Sequence, residues 1–186
     1  MPPKVKITKE EIVNAALEIV RKSGDQAINA RTIASVLDCS TQPIFSNFAT
    51  MDDLRLAVLE KANRLYEDFS NREMASGTYP PYKASGMAYI RFAKEEKELF
   101  KFLFMRDRSA EAFRRESDFD RLDLGLVCHN TGLDTLSAQL FHLQMWACVH
   151  GIATMFATGF CDLEWELVSK MLSDAYHGHK KLYEME

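Results

Sequence analysis

The sequence predicts an all-α protein: a three-helix helix-turn-helix head followed by a larger helical body. Three observations point there. Apolar residues recur three and four apart in nearly every segment, which is the spacing of one helix face. The stretch from Asn29 to Phe48, N-A-R-T-I-A-S-V-L-D-C-S-T-Q-P-I-F-S-N-F, reads as two short helices joined by a tight turn. The one ambiguous apolar run, Leu99 to Met105, has no second strand candidate to pair with, so it is read as helix too. A chain of 186 residues with 47% hydrophobic content can bury roughly 70% of its unfolded surface. The expected division is a helix-turn-helix head over residues 1–50 and a larger helical body over 51–186.

The head begins with a capping box. Thr8 followed by Glu11 satisfies two free donors at a helix start. Ile12, Ala15, Ala16, Ile19 and Val20 then line one face, and Gly24 is the expected left-handed terminus. Asn29 caps the next helix through its side-chain oxygen, and Ile33, Ala34 and Leu37 share its inner face. Asp38-Cys39 is the turn, because Asp tolerates the left-handed conformation better than most residues with a Cβ. Ser40 is expected to cap the third helix, with Pro43 as its third residue, where no intrahelical N–H is lost. Ile44 and Phe48 face inward. Thr41, Gln42, Pro43, Phe45 and Ser46 are left pointing outward at the helix start, a set of small hydrogen-bonders and an aromatic that suits a DNA major groove. The plainer alternative is an ordinary helical hairpin with the same core spacing. Lys4 and Lys6, on a short arm, can touch phosphate or simply be solvated.

Taken in order, T-x-x-x-I-x-x-A-A, then G, I-A-x-x-L-D-C-S, I-F-x-N-F and D-D-L resemble the DNA-binding head of TetR-family repressors over about residues 8–60. The resemblance implies a dimeric regulator on a near-palindromic double-stranded operator, released by a small-molecule effector. Thr41, Gln42 and Pro43 match positions that face bases. Arg31, Thr32, Phe45, Ser46, Asn47 and Thr50 complete the expected DNA-contact set. The family usually has Gly at Asp38, Tyr at Phe45, His at Asn47 and Lys at Met51. The Tyr and Lys commonly hold phosphates, bonds that Phe45 and Met51 cannot make. Asn47 and Thr50 can still donate to phosphate.

In the body, Thr50 or Asp52 caps a helix carrying Leu54, Val58, Ala62, Leu65 and Phe69 to about Met74. Ser76-Gly77-Thr78-Tyr79-Pro80-Pro81 breaks it. A helix from about Tyr82 to Lys94 follows, then a charged corner to Glu98. Residues 106–121 read as a charge-rich loop with a helix starting near Asp118. From Thr135 to Cys161 there is no Asp, Glu, Lys or Arg. That run is long enough to span a bilayer, but Gln139, His142, Gln144 and His150 are expensive in lipid. It therefore reads as a core helix buried on both sides. Met145, Val149, Ile152 and Phe156 suit the subunit's own core. Ala147, Gly151, Thr154 and Thr158, a stripe of small residues opposite, suit a homodimer interface. Val168, Met171, Leu172 and Ala175 of the last helix are assigned to the same interface. Trp146, His150 and Gly151 are also similar to a Trp…His-Gly pattern in the body of one TetR subgroup.

Chemistry is sparse. No nucleophile elbow, P-loop, dinucleotide fingerprint or H-E-x-x-H is present, so no catalytic residue, cofactor or metal is assigned. His142, Trp146 and His150, four apart, either line an effector pocket or are satisfied core residues. Phe92, Phe104, Met105 and Met145 join them as candidate effector-binding residues. His177 and His179 read as a solvated terminal turn. The alternatives are a helical enzyme with His142 or His150 as general base, and a membrane-tethered DNA binder. A net charge of −4 rules out a globally basic nucleic-acid binder. The first fifty residues carry six Lys/Arg against five Asp/Glu, which fits DNA contact confined to the head. Four cysteines without C-x-x-C pairing and no apolar leader point to reduced thiols in the cytoplasm.

Overall fold

The computed structural model describes residues 7–107 and 121–184. The arm carrying Lys4 and Lys6 lies outside the described residues, as does the loop and helix start read over residues 108–120. Among the described residues there are nine α-helices and no strand: α1 (Lys9–Ser23), α2 (Ala30–Val36), α3 (Gln42–Asn47), α4 (Met51–Ala75), α5 (Pro81–Glu95), α6 (Lys97–Phe104), α7 (Arg121–Thr131), α8 (Thr135–Thr158) and α9 (Trp165–Glu184). They fall into two compact units, Met1–Glu67 with Glu96–Arg106, and Asp68–Glu95 with Asp107–Glu186. The first unit therefore packs more than the first fifty residues. It includes the start of α4 and all of α6.

In the first unit the capping box at α1 forms as expected. The Glu11 amide donates to Thr8 Oγ1 at 3.2 Å, and the Thr8 amide donates to Glu11 Oε2 at 2.7 Å. The Thr8 amide and the Thr8 hydroxyl, both donating to the Glu11 carboxyl, hold it below its ordinary range. Ile12, Ala16 and Val20 are fully buried, with Ile33, Ile44, Leu54, Val58, Leu99 and Phe100 around them. Each such Ile, Leu or Val stabilises the unit by about 1.5–3 kcal/mol. The reversal after α2 is at Asp38, which adopts φ 49°. The cap of α3 differs from expectation. Thr41 stands at the N-cap with φ −71° and ψ −13°, already helical, and its side chain makes no capping bond. Ser40 thus precedes the cap, and Pro43 is the second helical residue. Its missing N–H is still one that no helix bond needs. Thr50 caps α4 reciprocally with Asp53, accepting from the Asp53 amide at 3.1 Å.

In the second unit α8 packs along α5, and α7 and α9 pack against the same pair. Ala88, Ile90, Phe92 and Ala93 of α5 are buried, with Phe141, Met145, Val149, Ile152 and Phe156 of α8. Gly86 marks a close approach: a Cβ there would lie 3.2 Å from Val149 Cγ2. Asp134 caps α8 by accepting from the Leu136 and Ser137 amides, and Gly159 ends it at φ 70°. Within the single chain this helix is buried on one side only, and Leu136, Leu140, Leu143 and Trp146 are exposed. Its inner face packs in the protein's own core, so its length and apolarity have an explanation that needs no bilayer.

Gly24 ends α1 at φ 77° and ψ 172°, a region that residues with a Cβ rarely enter. A Cβ there would also meet Glu98 Oε2 at 2.9 Å. Gly24→Ala is expected to destabilise the protein by about 1–3 kcal/mol. A urea midpoint unchanged from wild type would contradict that reading.

Candidate nucleic-acid interface

α2 and α3 have seven and six residues, too few to persist in water without tertiary packing. Ile33 and Ala34 fasten α2 to the first unit's core, and Ile44 and Phe48 fasten α3. Lys9 Nζ also lies over the Phe48 ring, 4.9 Å from its centroid. Asn29 Oδ1 accepts from the Arg31 and Thr32 amides at 3.1 and 3.0 Å. That leaves Arg31 exposed and Thr32 half-buried at the start of α2.

The outward residues of α3 divide by what their polar atoms do. Ser46 Oγ donates to the Gln42 carbonyl at 2.9 Å. Asn47 Nδ2 donates to the Pro43 carbonyl at 2.8 Å and to the Ile7 carbonyl at 3.4 Å. Thr50 Oγ1 donates to Asp53 Oδ2 at 2.8 Å. The donors of Ser46, Asn47 and Thr50, three of the residues expected to reach DNA, are therefore engaged within the head. Gln42 is exposed, Thr41 and Pro43 are half-buried, and the Phe45 ring is 52% exposed.

The seven residues expected to bind an effector do not gather in one compact unit. Phe92, His142, Met145, Trp146 and His150 belong to the second unit, whereas Phe104 and Met105 belong to the first. Phe104 meets Tyr66 edge-on at 5.1 Å and Phe100 at 5.2 Å. Met105 lines an open cleft of about 480 Å³, together with Leu56, Leu59 and Phe102. Phe92 is buried and meets Phe69 edge-on at 5.5 Å.

His142 and His150 prove to be halves of two similar pairs. Tyr82 Oη and His142 Nδ1 share a hydrogen bond of 2.9 Å, and Tyr89 Oη and His150 Nδ1 share another of 2.9 Å. Trp146 stacks on His150 with 4.8 Å between centroids. These bonds tie α5 to α8 and satisfy polar atoms that burial would otherwise penalise. Sequence reasoning missed both tyrosines. Their signal was available: they stand seven apart on one helix face, opposite histidines eight apart on the other. Among the described residues, no group of three or more His, Cys, Asp and Glu could hold a metal ion.

The expected dimer residues split as well. Val168 and Leu172 are buried in the second unit's own core. Ala175 packs against the cluster of Val127, Ala138, Phe141 and Met145, and Met171 is half-buried. Of the α9 residues, Val168 and Leu172 thus serve the subunit itself. The α8 stripe behaves differently. Ala147, Gly151 and Thr158 are exposed and Thr154 is half-buried. Leu136, Leu140 and Leu143 extend the same face toward the helix start, and a search for small residues alone overlooks them.

No family model and no curated protein matches the sequence. Solved structures do resemble it. A TetR-like transcriptional regulator from Rhodococcus sp. RHA1 superposes with a TM-score of 0.65 at 16% identity, covering 96% of this chain and 97% of that one. A TetR-family member from Streptomyces coelicolor A3 gives 0.59 at 18% identity, covering 90% and 96%. The multidrug binding protein EbrR, complexed with imidazole, gives 0.57 at 16% identity, covering 90% and 93%. The chain has the all-α fold of the TetR-like regulators.

Burial lowers the pKa of His150 below its ordinary 6.5. Between the lowered value and 6.5 the unfolded chain binds a proton that the folded chain does not. The contribution of His150 to stability is therefore full above pH about 6.5 and is lost as pH falls through the folded-state pKa. Melting temperature should drop on acidification below that point, and His150→Gln should remove part of the slope. Parallel melting curves of the two proteins from pH 7.5 to 5 would argue that His150 carries none of it.

Proposed function

We propose that this chain is a homodimeric, sequence-specific DNA-binding transcription regulator of the cytoplasm, acting as a repressor that a small molecule releases. One observation carries the reading: α3 is fastened from behind by Ile44 and Phe48 while Gln42 and Phe45 remain exposed on its outer side. A fixed short helix with free side chains on one face is what major-groove docking requires. The fold shared with TetR-like regulators supports it. In this reading residues 1–50 read DNA and residues 51–186 regulate, with α6 packed into the reading unit. A C2 dimer sets two α3 helices in successive major-groove faces, about 34 Å apart, so the operator is a near-palindrome. An effector shifts the population between head spacings that do and do not match this distance. His142, Trp146 and His150, the residues proposed to contact it, line α8 on one flank.

The interface is assigned to the exposed face of α8. Leu136, Leu140, Leu143, Ala147 and Gly151 recur three and four apart along it, and half-buried Thr154 and exposed Thr158 continue the spacing. A continuous apolar strip of this kind is costly to leave in water. A second copy of the same strip is its natural cover, since a two-fold axis brings each patch onto itself.

Two measurements test the reading. Gln42→Ala should cost about 1–3 kcal/mol at one base pair per half-site. Equal losses on operator and random DNA would mean that Gln42 reads no base. Gly151 is exposed, and a Cβ built on it would meet nothing within 4 Å. Gly151→Leu should therefore leave the isolated subunit undisturbed but weaken the dimer. Overpacking typically costs about 1–3 kcal/mol per site, and a two-fold axis applies it twice. A mutant that stays fully dimeric in sedimentation, whatever its melting temperature, would place the interface elsewhere.

A further inference from the structure

On the exposed side of α3, hydrogen-bonding capacity is scarcer than the sequence suggests. Ser46 and Asn47 spend their donors on the Gln42 and Pro43 carbonyls, and Thr50 caps α4. Gln42 is the exposed amide that remains, with Thr41 half-buried beside it. The largest exposed group on that side is the Phe45 ring, 52% exposed. Phe45 has no hydroxyl to offer a phosphate. Pressing a phenyl ring against a phosphate would strip water from the anion and return no bond. The base edges of the major groove present one apolar feature, the 5-methyl group of thymine; the others are hydrogen-bond donors and acceptors.

We propose that Phe45 is a specificity-determining residue that covers the 5-methyl group of one thymine in each half-site. The inference deepens the proposed DNA-binding function and rests on it. Gln42 and Phe45 are three residues apart on α3, so they share a face and differ by about 4.5 Å of helix rise. A base-pair step is about 3.4 Å. The two side chains therefore reach the same or neighbouring base pairs. Gln42 suits the N6 and N7 edge of adenine, and Phe45 suits thymine. Together they read A·T pairs, and they reject G·C at the Phe45 position because the ring would leave the polar edge of that pair unpaired.

The test uses the full-length protein and begins with selection of bound sequences from random duplex DNA. Each thymine of the selected half-site is then replaced symmetrically by deoxyuridine, which removes only the methyl group. For wild type, one such replacement should weaken binding about fourfold per half-site, the worth of one buried methyl, and about fifteenfold for both. Phe45→Ala should bind the thymine and uracil duplexes equally, with helix content and melting temperature unchanged. Wild-type affinity that is indifferent to every thymine-to-uracil replacement would overturn the assignment, as would a selected half-site without thymine. Either result leaves sequence-specific binding standing. Selection that enriches no sequence would remove the proposed function itself, and this inference with it. Should Phe45→Ala fold poorly, Phe45→Gln makes the same comparison, and a thymine preference as strong as in wild type would overturn the assignment to Phe45.

Discussion

The burial of Ile44 is the contact on which the paired short helices of the first compact unit depend. A six-residue helix pays the full nucleation cost of helix formation and recovers few hydrogen bonds. α3 persists because Ile44 is fully buried and Phe48, four residues on, is nearly so. Ile33 and Ala34 do the same for α2. With both inner faces committed to the core, the outer faces are fixed in direction without being fixed in chemistry. The turn between the helices needs the left-handed φ of 49° at Asp38, which holds the angle between them at the cost of some backbone strain.

A second constraint governs the body. α8 has no charged residue along its length, yet it packs in its own core only through one face, with Phe141, Met145, Val149, Ile152 and Phe156. The opposite face is apolar too, built from leucines at its start and small residues toward its end. An apolar face of this length is costly to leave in water. The Tyr82–His142 and Tyr89–His150 bonds add direction to a core that hydrophobic contact alone would position less tightly. Lys83 does similar work on the other flank, donating to Ser169 and Ser173 at 2.7 and 2.9 Å.

The elements were legible because each carries a local signal: the Thr8–Glu11 box, Asn29 as a cap, Asp38 at the reversal, the Pro80-Pro81 break. Face assignments were legible where a helix packs on one side only. They failed where side-chain size was taken for location. Small Ala147 and Gly151 are indeed exposed, but so are the large Leu136, Leu140 and Leu143, while Val168 and Leu172 turn inward. A helix uncharged all round offers no polar face to orient it, so periodicity alone cannot say which apolar side meets its own chain. Pairings distant in sequence, such as Tyr82 with His142 or Gly24 with Glu98, leave no local mark beyond spacing. Phe104 and Phe92 look alike in sequence yet belong to different compact units, a division that spacing does not mark.

The hydrogen bonds of the polar residues of α3 were hidden in the sequence for a related reason. Ser46 and Asn47 look free for DNA in a sequence, since both are small and polar on an exposed helix. In the fold each sits four residues after a carbonyl of the first turn and bonds back to it, the usual competition of short polar side chains with the backbone. The helix is short enough for these bonds to matter to its integrity. Its last residues therefore brace its first turn, and Gln42 and Phe45 are left exposed.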